Sequence, residues 1–215
     1  MVEGLEKLAQ ELKENLFSPE AVTNFWQAKL QADGKRIGLN ISVPKCDWTE
    51  DEIRKPMVDN KGREVPSMMV YLPQELTGQE GLKKLGQMYP DTNSWIFQEG
   101  VAHGASKKYG WIKVEAAINA PNLNTTESDL EEHAKKKGYS MQRLNVYILA
   151  SQASKDLTGH YLDEQLTYSR LGFRHGSDAV YFSFNQSGSL LIHWPLGSKA
   201  YGPEMGGRFE EVKKA

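Results

Sequence analysis

The chain has 215 residues, of which 39% are hydrophobic, with a single cysteine and a formal net charge of −2. This composition permits a substantial core, and the balance of acidic and basic residues argues against a general binder of nucleic-acid backbones, which needs a basic face. The single cysteine, Cys46, excludes an internal disulfide and a thiolate metal cluster, and we expect it to be a small core residue.

The N-terminal part of the sequence predicts two helices. No window is apolar enough for a membrane span, and residues 1–16 have a charged helical pattern unlike an export signal. Leucines at helical spacing mark the first helix: Leu5, Leu8, Leu12 and Leu16. Ser18 then resembles an N-cap followed by a first-turn proline, which predicts a second helix through about Leu30.

The middle of the chain mixes strand and helix patterns. Alternating apolar residues between Ile37 and Val43 predict a half-buried strand. The other expected elements are strands at 68–72, 94–98 and 111–118 and helices at 78–88, from Thr126 to Gly138, and at 141–157. We therefore expect an α+β fold, read as one domain over residues 1–215 with an N-terminal helical part.

The most regular pattern is a β-hairpin between Ala179 and Leu196 that turns at residues 186–188. Successive side chains of a strand point to opposite faces. The even-numbered apolar set is expected in the core: Val180, Phe182, Phe184, Leu190, Ile192 and Trp194. The odd-numbered set is expected outside: Tyr181, Ser183, Asn185, Ser187, Ser189, Leu191, His193 and Pro195.

The expected outer face is rich in Tyr, Ser and Asn instead of the Lys, Glu and Thr of an ordinary solvent-exposed strand. Antibody paratopes use the same residues, because Tyr gives rigid contact area and Ser or Asn adaptable hydrogen bonds. The flanking loops continue this composition with Phe173, His175, Ser177, Ser198 and Tyr201. An ordinary exposed hairpin with a few aromatic residues is the alternative interpretation.

Four segments in order carry a family resemblance: residues 167–171 (Thr-Tyr-Ser-Arg-Leu), 179–182 (Ala-Val-Tyr-Phe), 188–194, and 206–209 (Gly-Gly-Arg-Phe). This series resembles the C-terminal part of variable proteins diversified by diversity-generating retroelements. More loosely, it is similar to the C-type lectin fold of the formylglycine-generating-enzyme type, in which a Gly-x-Arg near the end completes the sheet. The resemblance covers residues 159–215 and, more weakly, 110–158, and leaves the first hundred residues unrecognised.

The resemblance implies a C-type-lectin-like domain, with helices around a small antiparallel sheet, and a variable ligand-binding region at 170–208. In that family, unfaithful copying of adenines diversifies AAY codons, which cannot become codons for Trp, Met, Lys, Glu or Gln. All eight outward hairpin residues are within reach of such codons, whereas Gln186, Lys199 and Glu204 would be fixed. The expected ligand-binding residues are Phe173, His175, Ser177, Tyr181, Ser183, Asn185, Ser187, Ser189, Leu191, His193, Pro195, Ser198 and Tyr201.

The implied function is non-enzymatic binding of a macromolecular ligand, such as a protein or glycan on another cell. We expect no cofactor, no metal, no nucleic-acid partner and no membrane insertion. By analogy the chain would be displayed on a cell surface or a virion, although the sequence shows no export signal.

Two classes of enzyme and a calcium-dependent lectin are alternatives to this function. A formylglycine-generating oxidase needs a pair of cysteines, and Cys46 is alone. The adjacent acids Asp163 and Glu164 are expected to have a turn or capping role instead of catalysing hydrolysis as a pair of acids. A calcium-dependent lectin needs clustered oxygen ligands, but the C-terminal loops offer only the well-spaced Asp178, Asn185 and Glu204. The lectin and an interaction domain without diversification stay open as alternatives.

Overall fold

A computed structural model describes residues 17–92, 108–164, 166–175, 178–193 and 202–213. Helices and short strands are mixed in these ranges, as expected for an α+β fold. The helices are α1 (Pro19–Gly34), α2 (Glu50–Arg54), α3 (Gly78–Met88), α4 (Glu127–Lys137) and α5 (Leu144–Thr158). The strands are β1 (Met57–Val58), β2 (Glu64–Val65), β3 (Ser67–Leu72), β4 (Gly110–Glu115), β5 (Ser140–Met141), β6 (Tyr168–His175), β7 (Asp178–Phe184), β8 (Leu190–His193), β9 (Met205–Gly207) and β10 (Phe209–Val212).

Local capping signals set several helix ends where the sequence predicted them, although α1 extends four residues beyond the expected Leu30. The Ser18 hydroxyl accepts a hydrogen bond from the backbone N–H of Ala21, so α1 begins at Pro19. The Thr126 hydroxyl caps α4 in the same way, and Gly138 ends that helix with a φ of 77°. The bounds of α3 match the prediction, whereas α5 begins three residues later than expected.

The predicted strand at 37–43 is wrong. Residues 35–37 form a 3₁₀ turn, and the chain then continues without strand pairing. The Gln27 side chain takes the place of a partner strand, because its amide donates to the Ile41 carbonyl and its oxygen accepts from the Val43 N–H. Ile41 and Val43 are buried as the alternation suggested, so the pattern reported burial and not strand pairing.

Two four-stranded sheets carry most of the described strands. One has the order β3-β4-β10-β5 and is antiparallel; the other has the order β8-β7-β6-β9, with β9 parallel to β6. Helix α5 packs against both β3 and β6. Its side chains therefore join the two sheets in one hydrophobic core, where Tyr147 contacts Phe184 at a ring-centroid distance of 5.7 Å.

The chain passes from one sheet to the other at Arg208, between β9 and β10. This side chain is fully buried and donates hydrogen bonds to the carbonyl oxygens of Glu115, Ala117 and Ile118. Two residues before Arg208, Gly206 approaches the 120–121 loop so closely that a Cβ would lie 2.4 Å from the Pro121 carbonyl oxygen. The Gly-Gly-Arg-Phe segment is thus a junction between sheets.

Candidate ligand-binding surface

The hairpin predicted from the sequence is formed by β7 and β8. Tyr181 pairs with His193 and Phe184 with Leu190, which fixes the register of the two strands. At the turn, Gly188 has a φ of 89° and donates its N–H to the Asn185 carbonyl. The Asn185 side chain accepts hydrogen bonds from the Ser189 N–H and the Ser187 hydroxyl, both at 2.8 Å. Asn185 therefore shapes the turn in addition to any contact with a ligand.

The inner face of the hairpin has the predicted residues and the predicted register. Val180, Phe182 and Phe184 are fully buried, and Leu190 is 5% exposed. Phe184 stacks on Tyr161 at 5.2 Å with nearly parallel rings. The alternation therefore identified these four core-facing residues correctly, whereas Ile192 is only partly buried and Trp194 lies outside the described residues.

The expected exposure of Tyr181 and Ser183 is wrong, because each is only 1% exposed. The Arg170 guanidinium on β6 lies 4.7 Å from the Tyr181 ring and donates a hydrogen bond to its hydroxyl. The rings of Tyr168 and His193, from the strands on either side of β7, meet at 4.1 Å, and His193 Nε2 lies 3.5 Å from Ser183 Oγ. β7 is an interior strand, so the side chains of both neighbours cover its second face.

Phe173 is also buried, contrary to prediction, at 1% exposure. The pairing of β6 with β7 shifts between Arg170 and Arg174, where β6 has two more residues than its partner. Like Leu171 two residues earlier, Phe173 belongs to the hydrophobic core, and its ring packs edge-on against Phe182 at 5.5 Å. The sequence analysis placed Phe173 in a flanking loop, whereas β6 continues through this position to His175.

Five of the predicted residues keep contact with solvent. Ser187 and Leu191 are exposed, and Asn185, Ser189 and His193 are partly exposed. The other predicted positions lie outside the described residues: the side chain of His175, and Ser177, Pro195, Ser198 and Tyr201. The surface that can be described is therefore the turn and the outer side of β8.

Burial lowers the pKa of His193, which favours its neutral form. A neutral imidazole beside the Ser183 hydroxyl can donate or accept one hydrogen bond. The pair is a polar contact within the surface.

The other candidate sites are occupied by structural contacts. Asp163 is buried, and it binds Arg208 and accepts hydrogen bonds from Tyr147 and Thr167. Cys46 is buried, as expected of a core residue, and Trp26, Trp48 and Trp111 are buried as well. His133 is half-buried, and its Nε2 lies 3.0 Å from the Val58 carbonyl oxygen. Across the described ranges, no three His, Cys, Asp or Glu side chains are grouped closely enough to hold a metal ion.

The sequence analysis did not identify Tyr168 and Arg170 as part of this surface. They share the outer face of the second sheet with Tyr181 and Ser183. Both fall in the segment that carries the family resemblance, and their spacing of two places them on one side of a strand. That signal alone does not say which neighbouring strand they cover.

Comparisons with protein-family models, with characterised proteins and with solved structures find no significant match to this chain. Among the described helices, none combines the length and the apolar character needed to cross a lipid bilayer.

Proposed function

We propose that this chain is a non-enzymatic binding protein that contacts a macromolecular ligand through the β7–β8 turn and the outer side of β8. The observation that carries the proposal is the contrast between two neighbours on β8: Leu190 is 5% exposed and Leu191 is 38% exposed. Alternation along the strand allows Leu191 and the turn serines to change without disturbing the packing beneath them. A surface built this way tolerates sequence change.

The proposal includes a C-type-lectin-like fold and diversification by a retroelement, as the resemblance implies. It is supported by the buried Arg208 at the sheet junction and by β9 lying beside β6. The proposed contact residues among those described are Asn185, Ser187, Ser189, Leu191 and His193. Phe173, Tyr181 and Ser183 are buried and would support this surface from within. The ligand class is a protein or glycan on another cell.

Two matched display libraries test the binding surface. The first randomises Ser187, Ser189 and Leu191 to Tyr, Ser, Asn, His and Asp; the second randomises Phe182, Phe184 and Leu190 with the same codons. We expect most members of the first library to resist proteolysis like the parent chain, and selection against a panel of unrelated proteins to yield binders. The second library should lose its resistance. Equal losses in both, or no binder from a folded first library, would contradict the proposal.

The retroelement is tested separately in the genome that encodes the chain. We expect a near-copy of the bases encoding residues 170–208 beside a reverse-transcriptase gene, with mismatches concentrated at adenines. Absence of such a copy would reject diversification by a retroelement. It would not affect the binding proposal, which the display libraries test separately.

A further inference from the structure

An apolar cavity of about 290 Å³ lies between α1, β3 and the C-terminal end of α5. Its wall includes the side chains of Phe17, Phe25, Trp26, Met68, Met69 and Leu157. The hydroxyls of Ser154 and Thr158, which also line it, donate to backbone carbonyls of His160 and Ser154. The cavity therefore offers apolar surface and few polar groups to an occupant.

Several residues of this wall are incompletely covered. Phe17, Phe25, Met68 and Leu157 are each only partly buried, although they pack beside the fully buried Trp26. Apolar side chains gathered around an open cavity leave hydrophobic surface in contact with water, which an apolar occupant would remove. The cavity lies on different elements from the β7–β8 hairpin, so an occupant here is independent of the proposed binding surface.

We propose that the cavity is the docking site for the leucine face of residues 1–16 of the same chain. This segment leads directly into Phe17, which lines the cavity. Since Ser18 caps α1, only Phe17 and Ser18 connect the segment to that helix. A connection of two residues between helices is typical of an αα-hairpin, which returns the first helix along the second.

The sequence of the segment fits such a role. At 100° per residue, Leu5, Leu8, Leu12 and Leu16 fall within about 80° of a helix surface. Gln10 and the charged residues occupy the remainder, so one side is apolar and the other polar. The leucine side chains match the aromatic and methionine wall in chemistry, and the tether holds them near it at a high effective concentration.

The first test uses the unaltered full chain with labelled methyl groups. We expect nuclear Overhauser contacts between the Leu12 or Leu16 methyls and the Met68 or Met69 methyls. In a mixture of leucine-labelled and methionine-labelled chains these contacts should vanish, since the proposed docking is within one chain. Contacts that persist in the mixture would assign the cavity to a second copy, and no contacts in either sample would also overturn the proposal.

The second test compares Leu12→Asp with Gln10→Asp. The two variants change the charge equally and lie two residues apart, but on opposite sides of the expected helix. Leu12→Asp should move the Met68 methyl signal and raise the fluorescence of anilinonaphthalene sulfonate severalfold, whereas Gln10→Asp should leave both unchanged. Equal responses of the two variants would reject docking through the leucine face.

Discussion

The Arg208 guanidinium binds both carboxylate oxygens of Asp163, with Nη2 to Oδ1 at 2.8 Å and Nε to Oδ2 at 2.9 Å. Both side chains are fully removed from solvent. Asp163 precedes β6, and Arg208 joins β9 to β10, so the pair connects the end of the chain to the region around α5 and both sheets. A bidentate pair with further hydrogen bonds is the arrangement in which a buried ion pair offsets its desolvation cost.

We predict that Arg208→Met lowers the free energy of unfolding by about 3–5 kcal/mol, because it leaves the Asp163 carboxylate buried without its cation. Arg54→Met is the control, since Arg54 and its partner Glu50 are each 51% exposed. It should cost about 1 kcal/mol or less. Urea denaturation of both variants measures the difference, and a similar loss in each would show that the buried pair has no special role.

The second prediction concerns pH. Burial raises the pKa of Glu115 to about 8, even though the Phe209 N–H and the Asn122 amide donate to its carboxylate. The folded chain therefore binds this proton more tightly than the unfolded chain, whose pKa is near the ordinary 4.5. The resulting stabilisation is complete below the unfolded pKa and is lost as the pH rises to about 8.

Glu115→Gln should remove this contribution, which has a slope of up to about 1.4 kcal/mol per pH unit. Urea denaturation of the parent chain and the variant across this pH range measures the difference between their slopes. His193 works in the opposite direction, because its pKa is lowered and its contribution is lost on acidification. Parallel pH profiles for the two proteins would contradict the assignment to Glu115.

The third prediction separates the two glycines of the sheet junction. A Cβ on Gly206 would lie 2.4 Å from the backbone oxygen of Pro121, whereas one on Gly207 would meet Leu130 Cδ1 at 2.6 Å. Both alanine variants should lose about 1–3 kcal/mol, with Gly206→Ala at the upper end because a side chain yields more easily than backbone. Thermal melting ranks them, and the reverse order would show that the Pro121 loop moves freely.

The fourth prediction is that the stability cost of a substitution in the hairpin depends on the burial of the side chain and not on the strand face it occupies. Phe182→Ala should cost about 3–5 kcal/mol, and Ser183→Leu about 1–3 kcal/mol because the site between Tyr168 and His193 is already filled. Leu191→Ser should stay within about 0.5 kcal/mol. Chemical denaturation provides the values, and a harmless Ser183→Leu would restore the original expectation of an open outer face.

The fifth prediction is that calcium does not stabilise the chain. We expect equal melting temperatures in excess calcium and in excess chelator. The comparison is informative because a ligand that binds only the folded state must raise the melting temperature. A large upward shift with calcium, abolished by chelator, would favour the calcium-dependent lectin over the present proposal. Magnesium at the same concentration is the control for a general effect of ionic strength.

The sequence alone determined the features that depend on near neighbours. Ser18, Thr126 and Gly138 set helix ends because a cap acts within four residues. The register of the β7–β8 hairpin followed from alternation, because a strand with one clearly apolar side has a single favourable orientation. The sequence alone therefore assigns Val180, Phe182 and Phe184 to the core.

Only the tertiary structure decided what covers the other face of that hairpin. Tyr181 and Ser183 are polar enough to look exposed, but Arg170 and Tyr168 reach them from a strand whose pairing no local pattern encodes. The Gln27 side chain likewise replaced a partner strand for residues 41–43 from fourteen or more positions away. Alternation reports that one side is apolar, whereas burial of the opposite side depends on neighbours that the fold brings from a distance.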